Sequence, residues 1–116
     1  SSTTGIKVRF SNENLKNLRF SSEIETAVFR IVQEALTNVA RYAGVREVTV
    51  GVVVDDGSII ISVEDRGVGF DEKSTLAAGK TMGLTSMRER CILLGGSFWL
   101  QTAPGKGTRV YAQLPI

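Results

Sequence analysis

Residues 25–43 read ETAVFRIVQEALTNVARYA, and the rest of the chain is organised around this stretch. Apolar side chains recur in it at intervals of three and four residues, which is typical of a helix with one buried face. Ser22 and Glu25 have the spacing of a capping box, and Gly44 can adopt the left-handed conformation that ends a helix. The pattern predicts an amphipathic helix over residues 23–43 that lies on a hydrophobic core. Its apolar positions are Ile24, Ala27, Val28, Ile31, Val32, Ala35, Leu36, Val39 and Ala43.

A polar stripe runs along the same predicted helix. Glu34 and Asn38 are four residues apart and therefore share a face, with Arg30 and Arg41 on the same side. Asn38 falls at the rim of the apolar sector, close to Ile31, where a solvated flank does not require an amide. The helix alone leaves two interpretations open, a functional amide and an ordinary solvated flank.

Composition limits the class of protein. The chain has 116 residues, 42% of them hydrophobic, which is enough for one domain with one core. Its 14 basic and 12 acidic residues leave a net charge of +2 without charge runs, so bulk electrostatic binding to nucleic acid is not expected. The one cysteine, Cys91, falls in an apolar helical pattern and is expected to be a small core residue in a reducing compartment. The sequence shows no signal peptide and no long apolar span, which predicts a soluble domain.

The remaining segments predict strands and a second helix. Residues 71–82 have no clear period, and we interpret them as a mobile lid. A second helix is expected to begin at Gly83 and to end at Gly95 and Gly96. Strands are expected at residues 6–10, 48–54, 59–63, 97–102 and 108–114, the second and third joined by Asp55, Asp56 and Gly57 and the last two by residues 103–107.

This order of elements predicts a fold class. Two hairpins and a further strand can form one mixed, largely antiparallel sheet, and two amphipathic helices can cover one of its faces. The expected fold is therefore an α/β (α+β) two-layer sandwich. It differs from a dinucleotide-binding fold, whose strands are parallel and whose glycine motif follows the first strand, and the P-loop pattern is absent from the sequence.

The segment DRGVGF, residues 65–70, contains a carboxylate and two glycines where a predicted strand ends. A carboxylate accepts hydrogen bonds, so a buried Asp65 needs a donor such as an exocyclic amine. Gly67 and Gly69 would let a flat ring approach the backbone closely. Adenine offers both the amine and the ring, although such a segment taken alone is more often a turn that ends a strand.

Four segments together are more specific than any one of them. Glu34 with Asn38, DRGVGF, GLTSMRER at residues 83–90 and GKGTRV at residues 105–110 occur in the order of the N box and the three glycine boxes of the GHKL (Bergerat-fold) ATP-binding superfamily, which they resemble. Within it, FRIVQEALTNVARYA and MGLTSMRERCILLGG are most similar to the catalytic domain of bacterial two-component sensor histidine kinases, of the nitrate-sensing and membrane-fluidity-sensing type. The resemblance implies that residues 1–116 form a single ATP-binding catalytic domain.

The resemblance also implies roles for the residues that match its motifs at the adenine end. Asp65 would bind the adenine amino group, Gly67 and Gly69 would shape the loop beneath the ring, and Thr108 would support the adenine end. Asn38 would ligate Mg²⁺ through its carbonyl oxygen, which suits a hard cation. Glu34 matches the acidic residue of the N box and is the candidate catalytic residue.

Further contacts are implied for the phosphates. Gly83 would end the lid, and backbone amides at the start of the second helix, beginning with Leu84, would face the phosphates. Arg41 and Lys80 are candidate phosphate contacts, with a solvated charge as the alternative for each. Tyr42 stands where the family usually has His; it can donate a hydrogen bond to a phosphate but cannot become a cation near neutral pH.

The chain contains no histidine, so the resemblance places the phosphoacceptor on another domain. It implies a protein-histidine kinase that binds ATP and Mg²⁺ and phosphorylates a histidine on the dimerisation domain of the same protein. The phosphoryl group would then pass from this histidine to a response regulator. The isolated domain would be a monomer in the cytoplasm, and its parent a homodimer that could be anchored in the inner membrane. Two alternatives stay open, a serine kinase of the anti-sigma-factor type and a degenerate nucleotide-binding regulatory domain.

Overall fold

The computed structural model describes residues 7–11, 20–45, 47–77 and 83–116. Three helices and five strands are defined within these ranges. The helices are α1 (Ser22–Asn38), α2 (Glu72–Ala77) and α3 (Leu84–Leu93), and a π-helical turn (Val39–Ala43) continues α1. The strands are β1 (Lys7–Ser11), β2 (Glu47–Asp55), β3 (Ser58–Asp65), β4 (Ser97–Thr102) and β5 (Thr108–Pro115).

The strands form one sheet in the order β1-β2-β3-β5-β4. β1 pairs with β2 in parallel, and the other neighbours are antiparallel. α1 contacts β3 and α3, and α3 contacts β4 and β5, so these helices cover one face of the sheet. The predicted two-layer sandwich with a mixed, largely antiparallel sheet is confirmed.

The core lies between this sheet face and the helices. Alternate residues of β2, β3 and β5 are buried because successive side chains of a strand point to opposite faces. Cys91 is fully buried, as predicted, and burial raises the pKa of its thiol to about 11. The largest fully buried side chains belong to Ile31, Ile59, Ile61, Met87, Leu114, Val48, Val50 and Cys91.

The turn between β2 and β3 has the chemistry that the sequence predicts. Asp56 and Gly57 adopt positive φ angles of 48° and 75°, as the two central residues of a type I′ hairpin turn require. The hairpin is confirmed, and it sets the pairing of β2 with β3.

The start of α1 corrects a prediction. The capping residue is Ser21 rather than Ser22, because Ser21 has an extended backbone and its hydroxyl accepts a hydrogen bond from the amide of Ile24 at 3.2 Å. Ser22 is already helical, so the proposed pairing of Ser22 with Glu25 in a capping box is wrong. The amide of Glu25 instead bonds to the carbonyl of Ser21 at 3.0 Å.

The end of this helix is where the sequence places it, but its last turn is wider than an α-helix. Residues 39–43 form a π-helical turn, and Gly44 follows with a left-handed φ of 71°. Such turns occur mostly as single widened turns within helices and frequently lie at functional sites. Here the turn brings Tyr42 and Ala43 to the edge of a pocket.

The segment predicted as an aperiodic lid contains a helix, α2. Asp71 directly precedes this helix, and its side chain accepts a hydrogen bond from the amide of Ser74 at 2.9 Å. Six residues make fewer than two turns, too few to show a hydrophobic period in the sequence. Residues 78–82, including Lys80, lie outside the described residues. No helix in the described ranges is both long and apolar enough to cross a membrane.

Candidate nucleotide-binding site

A pocket opens between the end of α1, the loop after β3, the start of α3 and β5. Its cavity volume is about 30 Å³, within about 420 Å³ of empty space that includes open solvent. Of the predicted site residues, Asn38, Tyr42, Asp65, Gly69, Leu84 and Thr108 line it. The other lining residues are Ala35, Val39, Ala43, Val63, Phe70 and Val110.

Asp65 is the buried ionisable group of this pocket, with 6% of its surface exposed. The amide of Gly67 donates to its Oδ1 at 2.8 Å, and the backbone of Thr108 also donates to the carboxyl. Burial raises the pKa of Asp65, the two backbone bonds lower it, and neighbouring Glu64 raises it, with a net increase. The backbone therefore orients a carboxyl that has lost most of its water.

Two glycines let the loop after β3 pass between its neighbours. A Cβ at Gly67 would lie 2.2 Å from the carbonyl oxygen of Ala43, and one at Gly69 would lie 2.1 Å from that of Ala103. The amide of Val68 donates to the carbonyl of Ala43 at 2.9 Å, which ties the loop to the π-helical turn. Gly69 lines the pocket, whereas Gly67 packs against the end of the helix.

Glu34 lies beside the pocket rather than in its lining. Its side chain packs over Gly83, where an added Cβ would be 2.0 Å from the Glu34 Oε1. Gly83 has a φ of 70°, so it suits this position both in backbone conformation and in space. The carboxylate of Glu34 thus contacts the residue that precedes α3.

The two polar candidates of the π-helical turn, Arg41 and Tyr42, are exposed to solvent. Arg41 is exposed and is not part of the pocket lining. Tyr42 does line the pocket and is 46% exposed, so it lies at the rim. Tyr42 therefore contributes to the pocket lining, whereas Arg41 does not.

Thr102 is a supporting residue that the sequence analysis did not single out. Its Oγ1 is within hydrogen-bond distance of the amide of Phe70, at 3.1 Å, and of the Gly107 carbonyl, at 3.1 Å. It also contacts the hydroxyl of Thr108 at 3.0 Å. The only sequence signal is a threonine six residues before Thr108 in a predicted hairpin, and this does not identify a network.

Asn38 is the candidate ligand for a divalent cation in the described part of the pocket. The described residues contain no group of three or more His, Cys, Asp or Glu side chains able to hold a metal ion. Asn38 brings an amide group to the pocket lining. This amide fits Mg²⁺ that takes most of its ligands from water and phosphate, as Mg²⁺ commonly does in nucleotide sites.

Comparison with known proteins identifies the family. The family model described as "Histidine kinase-, DNA gyrase B-, and HSP90-like ATPase" matches residues 23–116. The chain belongs to this ATPase family. The match covers α1, the loop after β3, α3 and β5, and therefore every element that surrounds the pocket.

Relatives of this ATPase domain include sensor kinases. The oxygen sensor histidine kinase NreB of Staphylococcus carnosus (strain TM300) is 40% identical over 112 residues. The alignment covers 97% of this chain and 32% of NreB, so the chain spans about a third of that relative's length.

Solved structures share the fold. The blue-light activated histidine kinase of Erythrobacter litoralis EL346 matches with a TM-score of 0.77 at 24% identity, over 96% of this chain and 35% of that one. The histidine kinase domain of the same protein matches with a TM-score of 0.74 at 24% identity, over 96% of this chain and 52% of that one. At this level of identity the likeness concerns the fold.

Proposed function

We propose that this domain binds ATP with Mg²⁺ and supplies the γ-phosphoryl group for autophosphorylation of a histidine in two-component signalling. The observation that carries the proposal is the buried Asp65, whose carboxyl is oriented by backbone amides in the lining of the pocket. Asn38 and Thr108 line the same pocket from two other parts of the chain, and Gly69 lines it from the loop that follows Asp65. Membership of the ATPase family and the likeness to NreB support this function.

The adenine ring would bind at the Asp65 end of the pocket. The carboxylate accepts a hydrogen bond from the exocyclic amine, and Gly69 leaves room for the ring to approach the backbone. Phe70 and Tyr42 are the aromatic residues of the pocket lining, and both are accessible to solvent.

The triphosphate would extend towards α1 and the start of α3. Asn38 would hold Mg²⁺, which neutralises phosphate charge when bound. Amides at the N-terminus of α3, beginning with Leu84, would face the phosphates. Tyr42, Arg41 and Lys80 stay predicted phosphate contacts.

Phosphoryl transfer needs positioning and charge neutralisation more than covalent chemistry from the protein. A nitrogen of the acceptor imidazole forms a bond to the γ-phosphorus, the bond to the β–γ bridging oxygen breaks, and ADP leaves. Glu34, whose carboxylate lies against Gly83 beside the pocket, would accept the proton that the phosphorylated imidazole releases.

The acceptor histidine must come from another part of the protein, because this chain has none. We assign it to a dimerisation domain of the same protein in a homodimeric parent, with a response regulator as the next phosphate acceptor. The likeness to a sensor kinase three times as long supports a multidomain parent.

Nucleotide binding is the first test. Calorimetric titration of ATP, with and without Mg²⁺, should show binding by the 116-residue chain. Asp65→Asn should weaken binding by about 10- to 150-fold, because a hydrogen bond to a charged group is lost. Asp55→Asn makes the same chemical change at the exposed hairpin end of β2 and should bind as the parent does. A folded parent that does not bind ATP would contradict the proposal and favour a degenerate regulatory domain.

Phosphoryl transfer is the second test. The chain is incubated with γ-labelled ATP and the dimerisation domain of its own parent protein, and the same domain with its acceptor histidine changed to Ala is the control. Acid-labile label on the histidine form alone supports the proposed kinase. Acid-stable label on serine would instead identify a serine kinase.

A further inference from the structure

A network of hydrogen bonds around Thr102 connects three segments next to the pocket. Thr102 is the last residue of β4 and pairs in register with Thr108, the first residue of β5. Its Oγ1 joins three separate places, the amide of Phe70, the carbonyl of Gly107 and the hydroxyl of Thr108, at 3.1, 3.1 and 3.0 Å. Thr102 thus connects the loop after β3 with the turn and strand that carry Thr108.

The directions of these hydrogen bonds follow from the capacity of a hydroxyl group. A hydroxyl has one proton to donate and two lone pairs that accept. The amide of Phe70 can only donate, and the carbonyl of Gly107 can only accept. The Thr102 proton must therefore go to Gly107, and the contact with Thr108 is satisfied only when Thr108 is its donor.

This assignment determines what Thr108 offers a ligand. Its single hydroxyl proton is directed to Thr102, so its oxygen has only lone pairs for the pocket that it lines. Asp65, in register with Thr108 across the β3–β5 pair, also presents an acceptor. Both polar side chains at this end of the pocket therefore match a hydrogen-bond donor on the ligand.

We propose that Thr102 is a positioning residue which fixes the direction of the Thr108 hydroxyl, so that the pocket selects a purine with an amino group over one with an oxo group. This inference rests on the proposed nucleotide binding and adds a residue that determines base specificity. An amino group can donate to Asp65 and to Thr108, whereas an oxo group would face two acceptors. Without Thr102, the Thr108 hydroxyl could rotate and donate to an oxo group.

The test measures the dissociation constant of IDP divided by that of ADP. IDP has an oxo group at C6 and a hydrogen on N1, where ADP has an amino group at C6 and no hydrogen on N1, so the change in this ratio between variants is the readout rather than its absolute value. Thr102→Val keeps the shape of the side chain and removes its hydroxyl, and should lower this ratio about fivefold, the loss expected for one neutral hydrogen bond. Thr102→Ser keeps the hydroxyl and should leave the ratio within about twofold of the parent. Thr37→Val is the matched control, because its hydroxyl donates to Gln33 within α1 at 2.9 Å.

A second pair of variants separates specificity from general loosening of the fold. Thr108→Ala removes the oriented hydroxyl and should lower the ratio by itself. Adding Thr102→Val to it should lower the ratio no further, because residues of one network are not additive. If Thr102→Val fails to fold, a Thr108→Ala ratio equal to that of the parent overturns the inference.

The outcomes distinguish this inference from the proposed function. Thr102→Val that weakens ADP and IDP equally shows a structural role only and overturns the inference, while nucleotide binding by the parent stands. A folded parent that binds neither nucleotide overturns both. A lowered ratio in Thr102→Val with an unchanged ratio in Thr102→Ser supports the inference.

Discussion

At the scale of single residues, Asp65 is predicted to lower stability and to favour ligand binding. Its burial raises the pKa of the carboxyl above the value of about 3.9 that an unfolded chain gives. Between these two pKa values the folded state binds more protons than the unfolded state, so the free energy of unfolding falls as the pH rises. At neutral pH the ionised carboxylate therefore costs stability, and in the proposed site it would be the acceptor for a ligand.

Asp65→Asn should consequently stabilise the ligand-free domain at pH 7 while it weakens ATP binding. The amide oxygen can still accept from the backbone of Gly67 or of Thr108, and no charge is buried. The melting temperature should exceed that of the parent at pH 7, and the gain should shrink as the pH is lowered towards 4. Thermal unfolding followed by circular dichroism measures this, with exposed Asp55→Asn as control. A lower melting temperature for Asp65→Asn at pH 7 would show that the ionised carboxylate is the more stable form.

At the scale of elements, the cap of α1 offers a direct comparison between two adjacent serines. The hydroxyl of Ser21 bonds to the amide of Ile24, whereas Ser22 is exposed within the first turn. Ser21→Ala should lower the free energy of unfolding by about 1 kcal/mol. Ser22→Ala should change it by less than about 0.5 kcal/mol, as surface substitutions usually do. Urea unfolding measures both, and equal losses would show that the cap is not confined to Ser21.

The same helix shows where sequence patterns lose precision. Periodicity predicts which face is buried, and Ile24, Ala27, Ile31 and Ala35 are indeed buried. It does not decide between adjacent serines, because the cap depends on which residue has the extended backbone. Nor does it distinguish the π-helical turn from an α-helix, since the apolar positions Val39 and Ala43 are buried in either case.

At the scale of the whole molecule, the sequence predicts the layers and the strands but not the order of strands in the sheet. Two hairpins follow from local turn chemistry, as at Asp56 and Gly57. The placement of β5 between β3 and β4, and the parallel pairing of β1 with β2, depend on contacts between distant segments. These contacts bring Asp65 and Thr108 together, although they are far apart in the chain.

The candidate site likewise contains residues that the sequence predicts and residues that only the fold identifies. Asn38, Asp65 and Gly69 could be selected from the sequence because their residue types and order match known motifs, and the fold brings them to one pocket. Thr102 and the carbonyl of Ala43 could not, because they act through hydrogen bonds that exist only once β4, the loop after β3 and the π-helical turn have packed. Sequence motifs therefore predict the residues that would contact a ligand, whereas the residues that hold them in position can be identified only from the folded structure.

Ligand binding should couple these distant segments and stabilise the whole domain. A ligand at 100 times its dissociation constant stabilises the folded state by about 2.7 kcal/mol, provided that it does not bind the unfolded chain. ATP with Mg²⁺ should therefore raise the melting temperature more than the same concentration of ATP without it. Asn38→Ala should abolish this difference while leaving most of the stabilisation by ATP alone, since Asp65 and Thr108 remain.

Gln33→Ala is the control for Asn38→Ala, because it replaces an exposed amide on the same helix, and it should keep the difference. An Asn38→Ala variant that loses stabilisation equally with and without Mg²⁺ would assign Asn38 to the nucleotide or to the fold rather than to the metal.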